Sequence, residues 1–267
     1  MLRTRALVAT VALPLVAVII VSGGWLYAAV VSGILLVGGV EYVLLMRQIN
    51  LRPPAWLVLA TIALPVAATW FEHEDWRAPG LAALLIGTAC AIIWDMEHQR
   101  PQPINNAAIA IFGGIYLGWL GAPLLALRQL DEGMYMVLLV YGLVIISDSA
   151  AYLVGSQWGR RKLSPRVSPN KSWEGYAGSV VSGIIVGALA GGLPASDVMN
   201  VGHGAILGLL IGTLGTVGDL AISALKRQVG VKDSSNLIPG HGGMLDRIDS
   251  VLVGATVGYY YVVWFVT

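Results

Sequence analysis

The feature that most constrains this chain is the recurrence of apolar runs from one end to the other. Nine such runs are each about 16–25 residues long, the length that a helix needs to cross about 30 Å of hydrocarbon. Charged residues make up 12% of the chain, compared with about a quarter of a soluble domain. No alternation of apolar and polar residues lasts long enough to indicate a membrane β-barrel. The sequence therefore predicts an all-α, polytopic integral membrane protein with about nine transmembrane helices.

The predicted spans are joined by short connections except in two places. The spans cover roughly residues 6–22, 25–46, 55–70, 79–96, 106–127, 134–156, 175–195, 201–225 and 250–266. The two long connections are residues 157–174 and 226–249. We expect residues 1–130 to form five N-terminal spans, and residues 131–267 to form a C-terminal catalytic region of four spans with both long loops.

Basic residues are distributed unevenly between the two sides of the predicted membrane domain. With the N-terminus inside, 14 of the 16 Lys and Arg residues fall on inner segments, whereas Arg77 and Arg128 fall on outer ones. The positive-inside rule therefore predicts a cytoplasmic N-terminus, with both long loops on the cytoplasmic side of a membrane that in a bacterium is the inner membrane. The net charge of +1 gives no electrostatic basis for binding nucleic acid.

Charge is concentrated in the stretch SALKRQVGVKDSSNLIPGHGGMLDRID, residues 223–249. Just before this stretch, Asp219 lies near the end of the eighth predicted span. At helical spacing it shares a face with Ser223 and Lys226. A carboxylate near the membrane interior is costly unless it is paired, hydrated or bound to a cation. Asp219 is therefore either a functional residue, which we favour, or a structural partner of Lys226.

The second half of this stretch combines glycines with acids. Gly242 and Gly243 allow the backbone to approach a ligand closely, and Asp246 and Asp249 project from one helical face three residues apart. Either aspartate alone is explained by the dipole at a helix N-terminus, but the pair around Arg247 is not. We expect the acids of the eighth and ninth helices to meet around a divalent cation.

Carboxylates for a hard cation and basic side chains for anionic oxygens suit a nucleotide–Mg²⁺ site at the membrane surface. Mg²⁺ prefers oxygen ligands, typically one or two carboxylates together with substrate phosphates. Phosphoryl-type transfer requires mainly positioning and charge neutralisation. The sequence contains neither a Walker A motif nor a Gly-x-Gly-x-x-Gly motif in a βαβ setting, so P-loop and Rossmann sites are excluded.

The polar positions of this stretch resemble the pattern of the phosphatidate cytidylyltransferase family, also called CDP-diacylglycerol synthases. That pattern has Ser, Lys-Arg, Lys-Asp, His-Gly-Gly and Asp-Arg-x-Asp at fixed offsets. It is met at Ser223, Lys226, Arg227, Lys232, Asp233, His241, Gly242, Gly243, Asp246, Arg247 and Asp249. Upstream, SDSAAYLVG and LSPRVSPNKSWEG also resemble the family, with Ser172 where Thr is commoner. The N-terminal half is similar only as generic membrane helices, apart from Glu41.

The resemblance implies that CTP and phosphatidate react to give CDP-diacylglycerol and pyrophosphate, with Mg²⁺ as cofactor and a second cation left open. It implies metal binding by Asp219, Asp246 and Asp249. Catalytic roles are expected for Lys226, Arg227, Lys232, Asp233, His241 and Arg247. Substrate contacts are expected for Ser223, Gly242, Gly243, Asp148, Ser168, Lys171 and Ser172. The basic side chains would screen repulsion between the lipid phosphate and the triphosphate.

Several residues keep two interpretations. His241 either donates to a phosphate oxygen or fixes the glycine turn. Asp148 either lines the polar cavity or hydrogen-bonds locally to Ser149. Glu174 is expected to cap the seventh helix rather than bind a ligand. Glu41 is expected to face the bundle interior, where it either contacts substrate or holds a helix junction.

Three rival functions are each disfavoured by the sequence. The spacing of Lys-Arg, Lys-Asp and His-Gly-Gly argues against the first, a lipid kinase. A CTP-using lipid kinase would transfer the γ-phosphoryl group to an alcohol and release CDP instead of pyrophosphate. A transporter would use the intramembrane acids for ion translocation, which leaves the cytoplasmic charge cluster unexplained. A CDP-alcohol phosphotransferase requires a long aspartate pattern that this chain lacks. We expect the enzyme to bind CTP from the cytoplasm and phosphatidate from the inner leaflet of the surrounding lipid; a homodimer is compatible with the sequence.

Overall fold

A computed structural model describes residues 14–238 and 242–267 of the chain. Residues 14–22 are helical and are named α1 here, and Gly23 separates them from the next helix. The long helices that follow are α2 (Gly24–Arg47), α3 (Ala55–Trp70), α4 (Arg77–Glu97), α5 (Pro103–Gln129), α6 (Gly133–Trp158), α7 (Trp173–Gly191), α8 (Val201–Val229) and α9 (Leu245–Phe265). A short 3₁₀ helix, Glu74–Trp76, precedes α4.

The prediction of an all-α polytopic membrane protein is confirmed. Seven helices of the described part of the chain are long and apolar enough to span a membrane, namely α2 and α4 to α9. The third predicted span is the apolar helix α3, which has 16 residues. The first predicted span lies partly outside the described residues, so only its second half, residues 14–22, can be compared with the structure.

The long loop between α6 and α7 contains a small antiparallel sheet that the sequence analysis did not predict. Strand β1 (Lys162–Ser164) pairs with strand β2 (Ser168–Ser172) around a tight turn. The hairpin leads directly into α7, since β2 ends at Ser172 and α7 begins at Trp173. Trp173 also donates a backbone hydrogen bond of 2.9 Å to the Arg161 carbonyl, which fixes this junction. Three and five residues are too few for an alternating pattern to be recognised in sequence.

The described residues form two compact units, which do not follow chain order. The first unit holds the described residues up to Ala126 together with Val229–Asp246, and the second holds Leu127–Gln228 and Arg247–Thr267. The predicted division between residues 130 and 131 remains a prediction.

In the first unit, α2 packs against α5 through two buried tyrosines. The Tyr27 hydroxyl donates to the Leu124 carbonyl at 2.9 Å, and the Tyr42 hydroxyl donates to the Ile109 carbonyl at 3.0 Å. The Tyr42 ring lies over Gly113, where a Cβ would overlap it. Because both tyrosines reach backbone carbonyls, their polar ends are satisfied within an apolar bundle.

In the second unit, α7 and α8 approach each other closely along a row of small residues. A Cβ at Gly183 would overlap the Gly208 carbonyl, and a Cβ at Gly187 would overlap the Gly204 carbonyl. These residues recur every fourth position on both helices, which is the spacing that lets membrane helices pack backbone to backbone. This tight contact fixes α8, which carries several predicted site residues.

Candidate active site

Asp219 lies on α8 in the second unit, and both of its carboxylate oxygens have partners. Its Oδ2 is 2.7 Å from Lys171 Nζ on β2. Its Oδ1 accepts a hydrogen bond of 3.0 Å from the Ser223 hydroxyl, one turn further along α8. The predicted shared face of Asp219 and Ser223 is therefore present, and Lys171 on β2 adds an ion pair from another element.

Asp148 on α6 belongs to the same polar region. It interacts electrostatically with Lys171 and with Asp219, and it accepts a side-chain hydrogen bond from Ser250. The Ser149 hydroxyl, which the sequence offered as a local partner, donates instead to the Ile145 carbonyl at 2.7 Å. The observed interactions of Asp148 are therefore with side chains of other elements, not with Ser149 of its own helix.

Asp249 on α9 is the third acid of this region. It interacts electrostatically with Asp219, Asp148 and Lys226. At this level α8 and α9 are in backbone contact, because a Cβ at Gly218 would overlap the Asp249 carbonyl oxygen. We name Asp148, Asp219 and Asp249 the acidic cluster, since each lies within electrostatic range of the other two.

The predicted basic residues of the second unit differ in burial and in contacts. Lys226 is buried and lies within electrostatic range of Asp249. Arg227 is exposed and donates from Nε to the Val167 carbonyl at 3.2 Å, so it holds the turn of the β-hairpin to the end of α8. Arg247 is exposed at the start of α9.

The β-hairpin positions three further residues that were predicted to bind substrate. Lys171 extends from β2 to the acidic cluster, and Ser168 at the start of the strand is partly exposed. Ser172 is buried, and its hydroxyl accepts a hydrogen bond of 3.1 Å from the Gly175 N–H, which makes it the N-cap of α7. Glu174 lies in the first turn of α7, as expected of an acid at a helix N-terminus, and its carboxylate also accepts the backbone N–H groups of Arg160 and Arg161.

In the first unit, Glu41 organises the long loop that leads into α9. Glu41 lies in the C-terminal third of α2 and is only 5% exposed. Its Oε1 accepts from the Ser235 hydroxyl at 2.6 Å and from the Met244 N–H at 2.9 Å. Its Oε2 accepts from the Ser234 hydroxyl at 3.1 Å and from the Leu245 N–H at 2.9 Å. Glu41 therefore holds a helix junction, which was one of its two interpretations.

Asp246 also takes part in shaping this loop. Its Oδ2 accepts hydrogen bonds from the Ser234 N–H at 2.9 Å and the Gly243 N–H at 3.0 Å. The Ser234 hydroxyl, 3.0 Å away, shares its single proton between this oxygen and Glu41 Oε2. The bond back to Gly243 satisfies a backbone donor at the N-terminus of α9. The metal role predicted for Asp246 remains a prediction, and its observed contacts are those of a residue that closes the loop.

The glycines of the loop are required by its geometry. Gly242 has φ +80°, which favours glycine, and its carbonyl accepts the Ile238 N–H at 2.9 Å. A Cβ at Gly243 would overlap the Ser234 hydroxyl and the Glu41 carboxylate. Lys232 and Asp233 are exposed on the same loop. His241 lies outside the described residues.

The oxygen donors of the acidic cluster are of the type that Mg²⁺ prefers. Across residues 14–238 and 242–267, no group of three or more His, Cys, Asp or Glu side chains is close enough to hold an ion by itself. A site made of one or two carboxylates and substrate phosphates needs no such group. Asp219 and Asp249 fit that smaller requirement, because like-charged carboxylates on spanning helices are stabilised by a nearby cation.

Sequence comparison gives the class of protein to which these residues belong. The profile described as "Cytidylyltransferase family" matches residues 3–265, nearly the whole chain. The chain belongs to this family. The match includes both units and every residue of the acidic cluster, so the observed geometry is that of a cytidylyltransferase family member.

Individual relatives cover most of the chain. A phosphatidate cytidylyltransferase of Synechocystis sp. is 30% identical over an alignment 288 positions long, which covers 97% of this chain and 96% of the relative. A phosphatidate cytidylyltransferase of Thermotoga maritima is 32% identical over 263 residues, with 97% and 95% covered. An Escherichia coli protein described as uncharacterized, YnbB, is 34% identical over 219 residues, with 80% and 72% covered.

Sequence reasoning missed three serines that contribute to the polar regions. Ser234 and Ser235 bond to Glu41, and Ser250 bonds to Asp148. Ser234 and Ser235 stand beside the Lys-Asp pair of the motif, and Ser250 follows the last aspartate directly. A search for hydroxyls next to motif residues could have singled them out, because intramembrane carboxylates need donors.

Proposed function

We propose that this chain is a phosphatidate cytidylyltransferase. It joins phosphatidate to CTP: a phosphate oxygen of the lipid attacks the α-phosphorus, the bond to the β-phosphate bridging oxygen breaks, and pyrophosphate leaves. The observation that carries the proposal is the acidic cluster with Lys171 and Lys226, built on spanning helices of a chain that belongs to the cytidylyltransferase family. Charge placed within a membrane bundle is costly, and a substrate with several phosphates explains it.

Basic side chains carry much of the chemistry in this proposal. A lipid phosphate monoester has a second pKa of about 6, so it is largely dianionic at neutral pH and needs no strong general base. The main barrier is repulsion between this dianion and the triphosphate. Lys171, Lys226 and Arg247 offset that repulsion and stabilise the leaving pyrophosphate. Ser223 holds Asp219 in place by a hydrogen bond, and Asp219 in turn holds the Lys171 ammonium group at the cluster.

In the second unit, Asp219 and Asp249 would hold Mg²⁺; the metal role of Asp246 stays a prediction, and a second cation is left open. When bound, Mg²⁺ neutralises phosphate charge and orients the phosphate oxygens. The Lys171 ammonium group lies 2.7 Å from the Asp219 carboxylate, so Asp219 already binds one positive charge. The expected result of chelation with excess EDTA is loss of turnover, which added Mg²⁺ restores.

The protein is integral to the membrane, and its similar relatives are bacterial. We place it in the bacterial cytoplasmic membrane with the N-terminus in the cytoplasm, because 14 of the 16 basic residues then lie inside. This orientation lets CTP reach the site from the cytoplasm and phosphatidate enter from the inner leaflet. A homodimer remains compatible with the chain.

The decisive assay supplies purified protein with labelled CTP, phosphatidate and Mg²⁺. We expect a lipid-soluble cytidine product and one pyrophosphate per turnover. Asp219→Asn should lower kcat/KM by about 100-fold or more, as loss of a charge-stabilising group in an active site does. The matched control is Asp75→Asn, which removes an exposed carboxylate from the short 3₁₀ helix and should leave turnover unchanged.

The same assay separates the rivals. Release of CDP with a phosphorylated alcohol would establish a lipid kinase instead. Ion flux in sealed vesicles without nucleotide turnover would establish a transporter. Full activity of Asp219→Asn would remove the acidic cluster from the mechanism even if CDP-lipid is formed.

A further inference from the structure

A second charged site lies in the first unit, apart from the residues assigned to catalysis. A cavity of about 950 Å³ is lined by Arg47 at the end of α2, Arg52 in the following loop and Arg100 after α4. Trp56 and Trp94 also line the cavity. We name these five residues the arginine pocket. Its volume lies near the upper end of the usual range for ligand sites, about 300–1,000 Å³.

The charge of the arginine pocket is not balanced by the side chains around it. Asp95 also lines the cavity, is 2% exposed and forms an ion pair of 3.1 Å with Arg100. Among the described residues, the guanidinium groups of Arg47 and Arg52 have neither a hydrogen bond nor an ion pair. Two positive charges are therefore left for an anionic ligand, and arginine is the residue best suited to bind phosphate oxygens in a fixed geometry.

A buried polar network beside the pocket connects two of the segments that line it. Asn106 is fully buried, and its Oδ1 accepts the Arg52 N–H at 2.7 Å. Its Nδ2 donates to the Pro101 carbonyl at 2.9 Å and makes a longer bond of 3.5 Å to Asp95. Because Asn106 joins the loop after α2 to the loop after α4, it fixes the positions from which Arg52 and Arg100 extend.

The pocket lies at the ends of three helices, and its tryptophans are of the residue type that favours the membrane interface. It is formed by the end of α2, the beginning of α3 and the end of α4. Trp56 is 54% exposed and Trp94 is 57% exposed, and tryptophan is the residue that prefers the headgroup level. Only 17% of the most apolar stretch of α4 is buried within the protein, so most of the surface of this helix is left for lipid to cover. Basic pockets between transmembrane helices characteristically bind anionic headgroups.

We infer that the arginine pocket binds the phosphodiester headgroup of an anionic phospholipid from the surrounding bilayer. Arg47 and Arg52 bind the phosphate oxygens, and the two tryptophans contact the glycerol and upper acyl region. A bilayer lipid fits better than a soluble anion, because exposed tryptophan and the little-buried α4 border the arginines. The inference does not rest on the proposed activity, since none of these residues belongs to the acidic cluster.

Cys90 provides a direct measurement of occupancy, because it is the chain's single cysteine, is exposed and lines the same cavity. Purified protein is placed in nanodiscs of phosphatidylcholine alone or with phosphatidylglycerol. The rate of Cys90 alkylation by neutral N-ethylmaleimide is followed by intact mass. A site occupied three-quarters of the time reacts about fourfold more slowly, so we expect slowing of that size with phosphatidylglycerol.

Matched variants test whether the arginines cause the protection. The double substitution Arg47→Gln and Arg52→Gln should abolish the effect of phosphatidylglycerol. The control, Arg77→Gln with Arg128→Gln, removes the same charge at positions away from the pocket and should keep the wild-type protection. The double substitution Arg47→Lys and Arg52→Lys preserves the charge and should fold even if the glutamine variant does not. We expect it to retain part of the protection by phosphatidylglycerol.

Other ligands give distinguishable results. Inorganic phosphate or CTP that slows alkylation equally in phosphatidylcholine discs would replace the lipid with a soluble anion. Protection that rises with protein concentration in phosphatidylcholine alone would make the pocket a contact between chains. Equal alkylation rates in both lipid mixtures would overturn the inference, as would protection that survives in the Arg47→Gln, Arg52→Gln variant.

Discussion

Replacing Glu41 by alanine should release the loop that leads into α9. The carboxylate accepts four hydrogen bonds, two from serine hydroxyls and two from the backbone N–H groups of Met244 and Leu245. The hydroxyls can rotate to other acceptors, but the two N–H groups cannot. A stranded backbone donor costs about 1–3 kcal/mol, so the loop loses roughly 2–6 kcal/mol of local stability in Glu41→Ala.

Glu41→Gln separates the number of acceptors from side-chain size. The amide keeps one oxygen, so one backbone N–H keeps its partner while the other faces an NH₂ group and is stranded. The expected local loss is then about 1–3 kcal/mol, half of that in Glu41→Ala. The glutamine variant should therefore lie between wild type and the alanine variant.

Hydrogen–deuterium exchange of peptides that cover residues 230–250 measures this loss directly. Each 1.4 kcal/mol corresponds to about tenfold, so exchange at the Met244 and Leu245 amides should accelerate by about 30-fold or more in Glu41→Ala, and by about fivefold or more in Glu41→Gln. Glu97→Ala, which removes an exposed carboxylate at the end of α4, is the control and should exchange like wild type.

Wild-type exchange in Glu41→Ala would refute this reasoning. If that variant kept wild-type exchange but raised KM for phosphatidate or CTP, Glu41 would contact substrate rather than hold the helix junction. A rise in exchange confined to Glu41→Ala, with Glu41→Gln unchanged, would show that filling the space matters more than accepting the N–H groups.

Two further predictions concern the second unit. Gly208→Ala should lower the thermal unfolding temperature in detergent, because the added Cβ would overlap the backbone of α7. The control is Gly142→Ala, where the structure shows open space, and it should leave the unfolding temperature unchanged or raise it slightly. Equal effects of the two substitutions would contradict the close contact between α7 and α8. Lys171→Met keeps the aliphatic stem but removes the ammonium group from Asp219 and Asp148, so kcat should fall by about 100-fold; unchanged kcat would remove Lys171 from the site.

Helix positions were predictable because apolar runs of spanning length have few other solutions in a membrane. Polar residues continue two helices beyond their apolar runs, as the helical spacing of the motif predicts. The ninth apolar run begins at residue 250, and α9 begins at Leu245, so that Asp246 lies in its first turn. The eighth apolar run ends at residue 225, and α8 continues to Val229, with Lys226 and Arg227 favourably placed at its C-terminus.

The candidate site was predictable only where its geometry is local. Asp219 and Ser223 are four residues apart on one helix, so their contact follows from helical spacing. The Lys171–Asp219 pair depends on a β-hairpin too short to be recognised, and sequence spacing could not indicate it. A buried carboxylate at Glu41 indicates that donors must lie nearby, but not that they come from the other end of the chain.

The reach of Glu41 has a consequence for biogenesis. Its backbone donor Met244 follows it by 203 residues. At about 5–20 residues per second, the ribosome makes that partner some 10–40 seconds after α2 has been synthesised. During this interval α2 carries a carboxylate without its final donors, so the nascent bundle must keep it hydrated or at the membrane surface. The final hydrogen bonds of Glu41 therefore form only after residues 244 and 245 have been made, so a chain that ends before them leaves this carboxylate to water.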